Sequence, residues 1–332
     1  MVEDGDDARA VTPVIGNILL VAVVVVLAVA LVLLSLTFLE ETGAPTAEAS
    51  FDYEQTPAGL RMTPEALGTD IAVKLNGKQV TTFSADSAGE SVLLPTAPGD
   101  SITVVSQDGD RSVLVNKQVD GRSEVGNFIA YYTFDSDSGD TLKDRSGNGN
   151  DGNIQGDPIW RGSSLDFDGS NDYVTVDSLD AETSVSEFTV AVAYRPDSAD
   201  HQELIEHIDT EDGTNLVLEL KSGSDGTYDI AYTVDDNGGQ QNGEIFARGY
   251  DRGERHVVVG TYDSDSYELY VDGNEAANAS NPPREISLGD LTVASDAETS
   301  LDQHFDGDIY EIRLYYEAFD QQEVEVVTNA MS

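Results

Sequence analysis

The sequence predicts a mainly β chain in three parts: a long apolar N-terminal helix, a small β-sandwich head and a larger C-terminal β-sandwich. Three observations predict it. No charged residue occurs from Val11 to Leu39, and about 20 apolar residues suffice for a helix to cross a bilayer core. Beyond residue 50, apolar residues recur in short runs of period two, the spacing of strands with one buried face. From Asn127 onward such runs, bounded by Gly, Asp and Asn, follow one another regularly to the C-terminus, as in a single large sandwich.

Composition narrows the class. The chain has 63 acidic and 17 basic residues, a net charge of −46. That field repels phosphate backbones, so nucleic acid is excluded as a partner. With 39% hydrophobic residues in strand-like runs, the acids read as the coat of folded domains rather than as disorder. An extreme halophile is the expected source, because a Debye length of about 3 Å in molar salt mutes the self-repulsion. Cysteine is absent, which removes disulfides and thiol chemistry from consideration.

The first ten residues, MVEDGDDARA, are mostly acidic, with Arg9 the only base. A secretory signal carries a basic n-region, an apolar core of about 7–15 residues and a small-residue cleavage site. Here the apolar run is longer, and Ala28-Val29-Ala30 lies inside it, out of a peptidase's reach. Ala47-Glu48-Ala49 leaves ordinary cleavage open, but retention is favoured. Thr12 is placed as an N-cap with Pro13 in the first turn, where its missing N–H costs nothing. Arg9 before the span and Glu40-Glu41 after it orient the chain with its bulk outside the cell membrane.

The string Arg9-Ala10-Val11-Thr12-Pro13-Val14-Ile15-Gly16, running directly into the apolar helix, resembles the N-terminus of archaeal type IV pilins of halophiles. The resemblance implies a leader at 1–10, cut between Ala10 and Val11 by a prepilin peptidase on the cytoplasmic side. The transmembrane helix, 11–40, would then pack with those of other pilin subunits in a filament core. A plain signal anchor is the alternative.

Gly43 to Ala49 reads as a linker. The alternating runs SFDYEQT, GLRMTP, IAVKLNGKQVTTF, SVLLP and SITVVSQDGDRSVLVNKQV follow, with Asn76-Gly77 and Asp108-Gly109 as hairpin signals. This unit, assigned to 41–123, is similar to the β head of archaeal pilins and holds no catalytic constellation.

Residues 124–332 resemble the laminin G-like, concanavalin A-like jelly-roll family through AYYTFDSDSGDTLKDRSGNGNDG (130–152), SLDFDGSNDYVTV (164–176), HVVVGTYDSDSYELYVDG (256–273) and FDGDIYEIRLYYEAF (305–319). A helical tail with Asp320 as N-cap closes the chain. The resemblance implies a module that binds a surface glycan or protein, often with calcium. The Gly-rich loop Asp144 to Asp151 is the expected calcium site, with Asp144, Asn148, Asp151 and Asp135 as ligands, because such a loop converges several oxygens on one ion. A solvated turn is the alternative. At the family's closing acidic pair this chain has Tyr310 in the first position, leaving Glu311, with Asp308 nearby.

Four histidines occur. His201 and His207 lie six apart in strand text, unlike the i, i+4 pair of a zinc helix, and alternation would put both on one sheet face. At this acidity no glycosidase-type carboxylate pair can be singled out, and no nucleophile-elbow or phosphate-loop motif appears, so the chain is read as a non-enzyme. Trp160, the single Trp, is a candidate sugar-stacking ring, though packing is the commoner fate. Asn278-Ala279-Ser280 is the one glycosylation sequon. The expected function is a pilin or pilin-like surface protein displaying an adhesion module. The rivals are a membrane-anchored lectin that never polymerises and a surface glycan hydrolase. N-terminal sequencing of the mature protein should return Val11 as its first residue; Met1, Val2 or a start beyond Glu41 would exclude the leader.

Overall fold

A computed structural model describes residues 49–107, 112–119, 125–136, 138–177, 179, 184–208, 214–236, 244–280, 282, 285–296 and 303–332. The expected leader, the cut at Ala10/Val11 and the apolar helix lie outside the described residues. Among the described residues no helix is long and apolar enough to cross a membrane.

Residues 48–332 form one compact unit, mainly β. The head holds two small sheets. One runs Ala49–Thr56, Gly59–Leu67, Val92–Leu94; the other runs Lys78–Phe83, Ile71–Leu75, Ser101–Ser106, Val113–Gln118. Asn76 (φ 50°) and Gly77 (φ 80°) take the left-handed conformation that a two-residue type I′ hairpin needs at both central positions. The Asp108-Gly109 turn lies outside the described residues, but the strands flanking it are antiparallel partners.

The larger sandwich also has two sheets. The first, here the middle sheet, runs Ile159–Trp160, Leu165–Asp168, Asp306–Tyr315, Phe188–Pro196, His256–Tyr262, Ser266–Val271, Asn274–Ser280, and Phe128–Thr133 also pairs with Asp306–Tyr315. The second, here the open sheet, runs Ile245–Asp251, Thr227–Asp236, Thr214–Ser222, Gln202–Ile208, Leu291–Val293, Tyr173–Val176, Gly152–Gln155, Thr141–Leu142. Alternate residues of both sheets fill one apolar core, among them Val190, Val192, Tyr194, Val258, Leu218, Ile230 and Val293.

The middle sheet departs from simple alternation. Ala191, Ala193, Val257, Val259, Tyr270 and Tyr315, which point to its other side, are buried too. They join Leu60, Met62, Ile71, Leu94 and Val104 of the head, and Val324 and Val327 of the C-terminal helix, in a second core. Small Ala191 and Ala193 on this side let the head come close, while larger Val190, Val192 and Tyr194 fill the sandwich. Backbone bonds from Gly126 N to Thr96 O (3.2 Å) and Asn127 N to Pro57 O (2.9 Å) tie the head to the first residues of the sandwich.

The helix Gln321–Met331 starts as its sequence asks. Asp320 accepts from Glu323 N at 2.9 Å, and Glu323 Oε2 accepts from Asp320 N at 3.1 Å, a reciprocal capping box.

Within the sandwich core the Tyr232 ring lies over Gly260, where an added Cβ would come within 2.7 Å of ring carbons. Tyr232 is fully buried and has no room to withdraw. Gly260→Ala is therefore expected to overpack the core and cost about 1–3 kcal/mol, read as a lower denaturation midpoint in urea.

Candidate functional site

The loop expected to hold calcium is organised around a different partner. Asp144 Oδ1 accepts from Tyr131 N (3.1 Å) and Ser146 N (2.8 Å). Its Oδ2 accepts from Ser146 Oγ (2.8 Å), Gly149 N (3.0 Å) and Asn150 N (2.9 Å). Asn148 donates its amide to the carbonyls of Phe128 (2.7 Å) and Ile129 (3.0 Å). Asp151 accepts from Asp144 N (2.9 Å) and Lys143 Nζ (2.5 Å), with Lys143 the larger influence holding its carboxyl below the usual range. Asp135 accepts from Arg145 at 2.5 Å and Thr133 Oγ1 at 2.9 Å. Calcium needs six to eight oxygen lone pairs turned toward it, whereas here the lone pairs meet N–H and O–H donors. Asp135, Asp144 and Asp151 do not converge as a ligand cluster, and the donor set does not fit the ion. The acidic residues of the last strand are likewise engaged: Asp308 accepts from Ser164 Oγ at 2.8 Å and Arg195 at 2.5 Å, and Glu311 from Arg313 at 2.5 Å.

Trp160 lies at the rim of the middle sheet, packed against the sandwich core, and its Nε1 donates to Gly139 O at 3.1 Å. Asn278 is exposed on the edge strand Asn274–Ser280, its amide donating to Glu275 at 2.6 Å.

The two histidines of HQELIEH do not share a sheet face. The pairing of Gln202–Ile208 with Thr214–Ser222 slips between Glu203 and Ile205, leaving Leu204 as the extra residue. This β-bulge reverses the alternation. Beyond it, His207 stands opposite the core residues Leu216 and Leu291, with Nδ1 against Asp290 O at 2.8 Å. Before it, Glu203 stands opposite Glu219 on the outer face.

That outer face is where polar chemistry gathers. Glu203, Glu206, Glu219 and Thr292 are buried on it. His201 Nε2 hydrogen-bonds Glu219 Oε2 and lies 3.9 Å from Glu203 Oε1, while its Nδ1 accepts from Gln303 at 3.1 Å. Lys221 bridges Glu219 (3.2 Å) and Glu244 (2.5 Å). Oε2 of Glu203 is buried with no hydrogen-bond partner. Burial first, then Glu219, Glu206 and Asp296, pushes the Glu203 carboxyl up to about 9. Half-buried rings flank the cluster: Phe246 opposite Ala231 with Arg248 over it at 4.6 Å, and Tyr173 beyond Leu291–Val293. Neither apolar core of the described residues includes this face.

Residues 168–325 match the laminin G-type family model described as the concanavalin A-like lectin/glucanases superfamily. Residues 168–325, the greater part of the C-terminal sandwich, are thus similar to concanavalin A-like domains. No curated protein matches the chain. Among solved structures, the botulinum neurotoxin type G receptor binding domain is 16% identical with a TM-score of 0.50, over 62% of this chain and 52% of that one. This chain thus spans about half of that toxin domain. Domain 4 of a GH43 extracellular arabinanase from Geobacillus stearothermophilus, solved with arabinotriose, is 17% identical with a TM-score of 0.47, over 61% of this chain and 98% of that one. A heptameric pentraxin from Limulus polyphemus is 15% identical with a TM-score of 0.42, over 50% and 81%. At these identities the likeness is one of fold.

The sequence missed the carboxylate cluster on the concanavalin A-like domain because its members come from separate strands and a loop. The readable signal was local: the polar residues His201, Gln202, Glu203, Glu206 and His207 clustered around Leu204-Ile205. Because the folded Glu203 carboxyl titrates above its unfolded value, its contribution to stability is full below the unfolded value, near 4.5, and is lost as pH rises toward about 9. With chelator present, the wild-type melting temperature should fall from pH 5 to 9 more steeply than that of Glu203→Gln. Parallel pH profiles would show that Glu203 does not titrate in this window.

Proposed function

We propose that the chain is a pilin-like surface protein whose concanavalin A-like domain binds an extended surface glycan on the outer face of its open sheet. The observation that carries the reading is the contrast between the two sheets. The head and C-terminal helix cover the middle sheet, whereas the outer face of the open sheet joins neither apolar core and is polar, with carboxylates and hydroxyls at its centre and half-buried rings on either side. Five strand spacings separate the Phe246 and Tyr173 strands, about 24 Å at about 4.8 Å each. That suits several sugar units in a row, hydroxyls meeting Glu206, Thr175, Thr233 and Thr292, and ring faces meeting Phe246 and Tyr173. The family description, spanning lectins and glucanases, agrees with a glycan ligand. Display at the membrane or on a filament rests on the Ala10/Val11 junction and the apolar run after it.

A glycan array probed with the full chain, followed by calorimetry on its hits, tests the reading. Phe246→Ala and Tyr173→Ala should each weaken binding about tenfold or more, as truncation of an aromatic anchor does. Absence of any glycan hit, or unchanged affinity in both variants, would remove the glycan from this face. Release of new reducing ends from a bound polysaccharide would replace display with hydrolysis.

A further inference from the structure

Three metal-type donors converge on the outer face of the open sheet. His201 Nε2 and one carboxylate oxygen each of Glu203 and Glu219 lie within 4.8 Å of one another. We propose that His201, Glu203 and Glu219 form a site for a divalent first-row transition cation of the Zn²⁺ type, with one further coordination position open to the ligand face. The inference goes beyond glycan recognition and does not depend on which surface ligand the domain takes.

An acidic cluster alone would not carry this, because carboxylates abound in the chain. The independent observation is the Glu203 side chain, 6% exposed, whose Oε2 is buried without a hydrogen-bond partner. Native structures rarely leave such an atom unsatisfied, and a carboxylate taken from water without a partner is costly. A cation bound by Glu203 at the centre of the cluster, with Oε1 the oxygen nearest His201 Nε2, gives that carboxylate the partner it lacks.

The geometry is close to what zinc asks. Ligand distances of about 2.0–2.2 Å around a tetrahedral ion put neighbouring ligand atoms about 3.4 Å apart. His201 Nε2 and Glu203 Oε1 are 3.9 Å apart, so about half an ångström of closure suffices. The direct His201–Glu219 contact opens to admit the ion.

The mixed nitrogen and oxygen set points to a borderline transition cation rather than to calcium, which takes oxygens alone and more of them. The surroundings agree in charge. Glu206, Glu244 and Asp296 add three carboxylates to the two ligands, against Lys221 as the cation beside them. Lys221 holds Glu219 through Oε1, which leaves Oε2 for the ion. Gln303 supplies the outer support: once Nε2 binds the ion, the ring proton sits on Nδ1, and the Gln303 amide turns its oxygen to accept it. His201 is 37% exposed, which gives the site a path to solvent.

Zn²⁺ titration of the chelator-stripped full chain by calorimetry, in about 1 M salt to screen the acidic surface, is the test. One saturable site per chain is expected. It should be absent in Glu203→Gln and in Glu219→Gln, and weakened roughly 10–100-fold in Gln303→Ala. Glu203→Gln replaces the buried carboxyl with a neutral group of the same shape and should melt no lower than wild type in chelator, so loss of binding there is not loss of fold. Zn²⁺ should raise the melting temperature of wild type and leave that of Glu203→Gln unmoved. Absence of a saturable site, or saturable binding retained by Glu203→Gln or Glu219→Gln, would overturn the proposal. A missing glycan ligand with the Zn²⁺ site intact would leave it standing.

Discussion

The middle sheet is apolar on both faces, and the rest of the structure follows from covering them. One face is answered by the open sheet across the sandwich core. The other presents Ala191, Ala193, Val257, Val259, Tyr270 and Tyr315, too large an apolar surface to leave to water. The head and the C-terminal helix close over it. Hydrophobic burial has no direction of its own, so the backbone bonds from Gly126 to Thr96 and from Asn127 to Pro57 fix how the head sits. A buried Arg313–Glu311 pair, with Arg313 over the Tyr131 ring, lies on this same side of the sheet.

Covering one sheet decides where function can sit. The outer face of the open sheet carries Glu203, Glu206 and Glu219 in a buried setting, an arrangement that works against folding stability unless something offsets it. Lys221 and His201 offset part of it. Glu203 keeps a buried carboxylate oxygen without a hydrogen-bond partner, a cost that the rest of the fold offsets. The contrast with the Asp144 loop is instructive: there every carboxylate oxygen of Asp144 is satisfied from within, and the acidic residue organises its own turn.

Much of the fold was legible in the sequence. Asn76-Gly77 closes a hairpin because both residues take the left-handed conformation that a type I′ turn needs. Asp320 and Glu323 gave the helix start through their reciprocal bonds. Strands with one wet face, such as Leu165–Asp168, alternate visibly. The covered face of the middle sheet was written less openly, in unbroken runs such as Val190-Ala191-Val192-Ala193-Tyr194 and Val257-Val258-Val259, where continuity rather than alternation signals burial on both sides. The site was harder. One extra residue, Leu204, sends His207 inward and keeps Glu203 outward, and no period-two reading shows a bulge. The Glu203–Glu219 pairing depends on register between strands, which composition does not encode.

The head and the sandwich share one core, and Trp160 makes their coupling measurable. It is the chain's single Trp and packs in the sandwich, far in sequence from the head. Leu60, 2% exposed, lies in the head's part of the shared core. If that core couples the two, Leu60→Ala should lower stability by about 2–5 kcal/mol, and urea unfolding followed by Trp160 fluorescence should shift by the same amount as unfolding followed by circular dichroism. A Trp160 transition that stays at its wild-type midpoint, while circular dichroism gains an earlier step, would mean that the head unfolds by itself and covers nothing the sandwich needs.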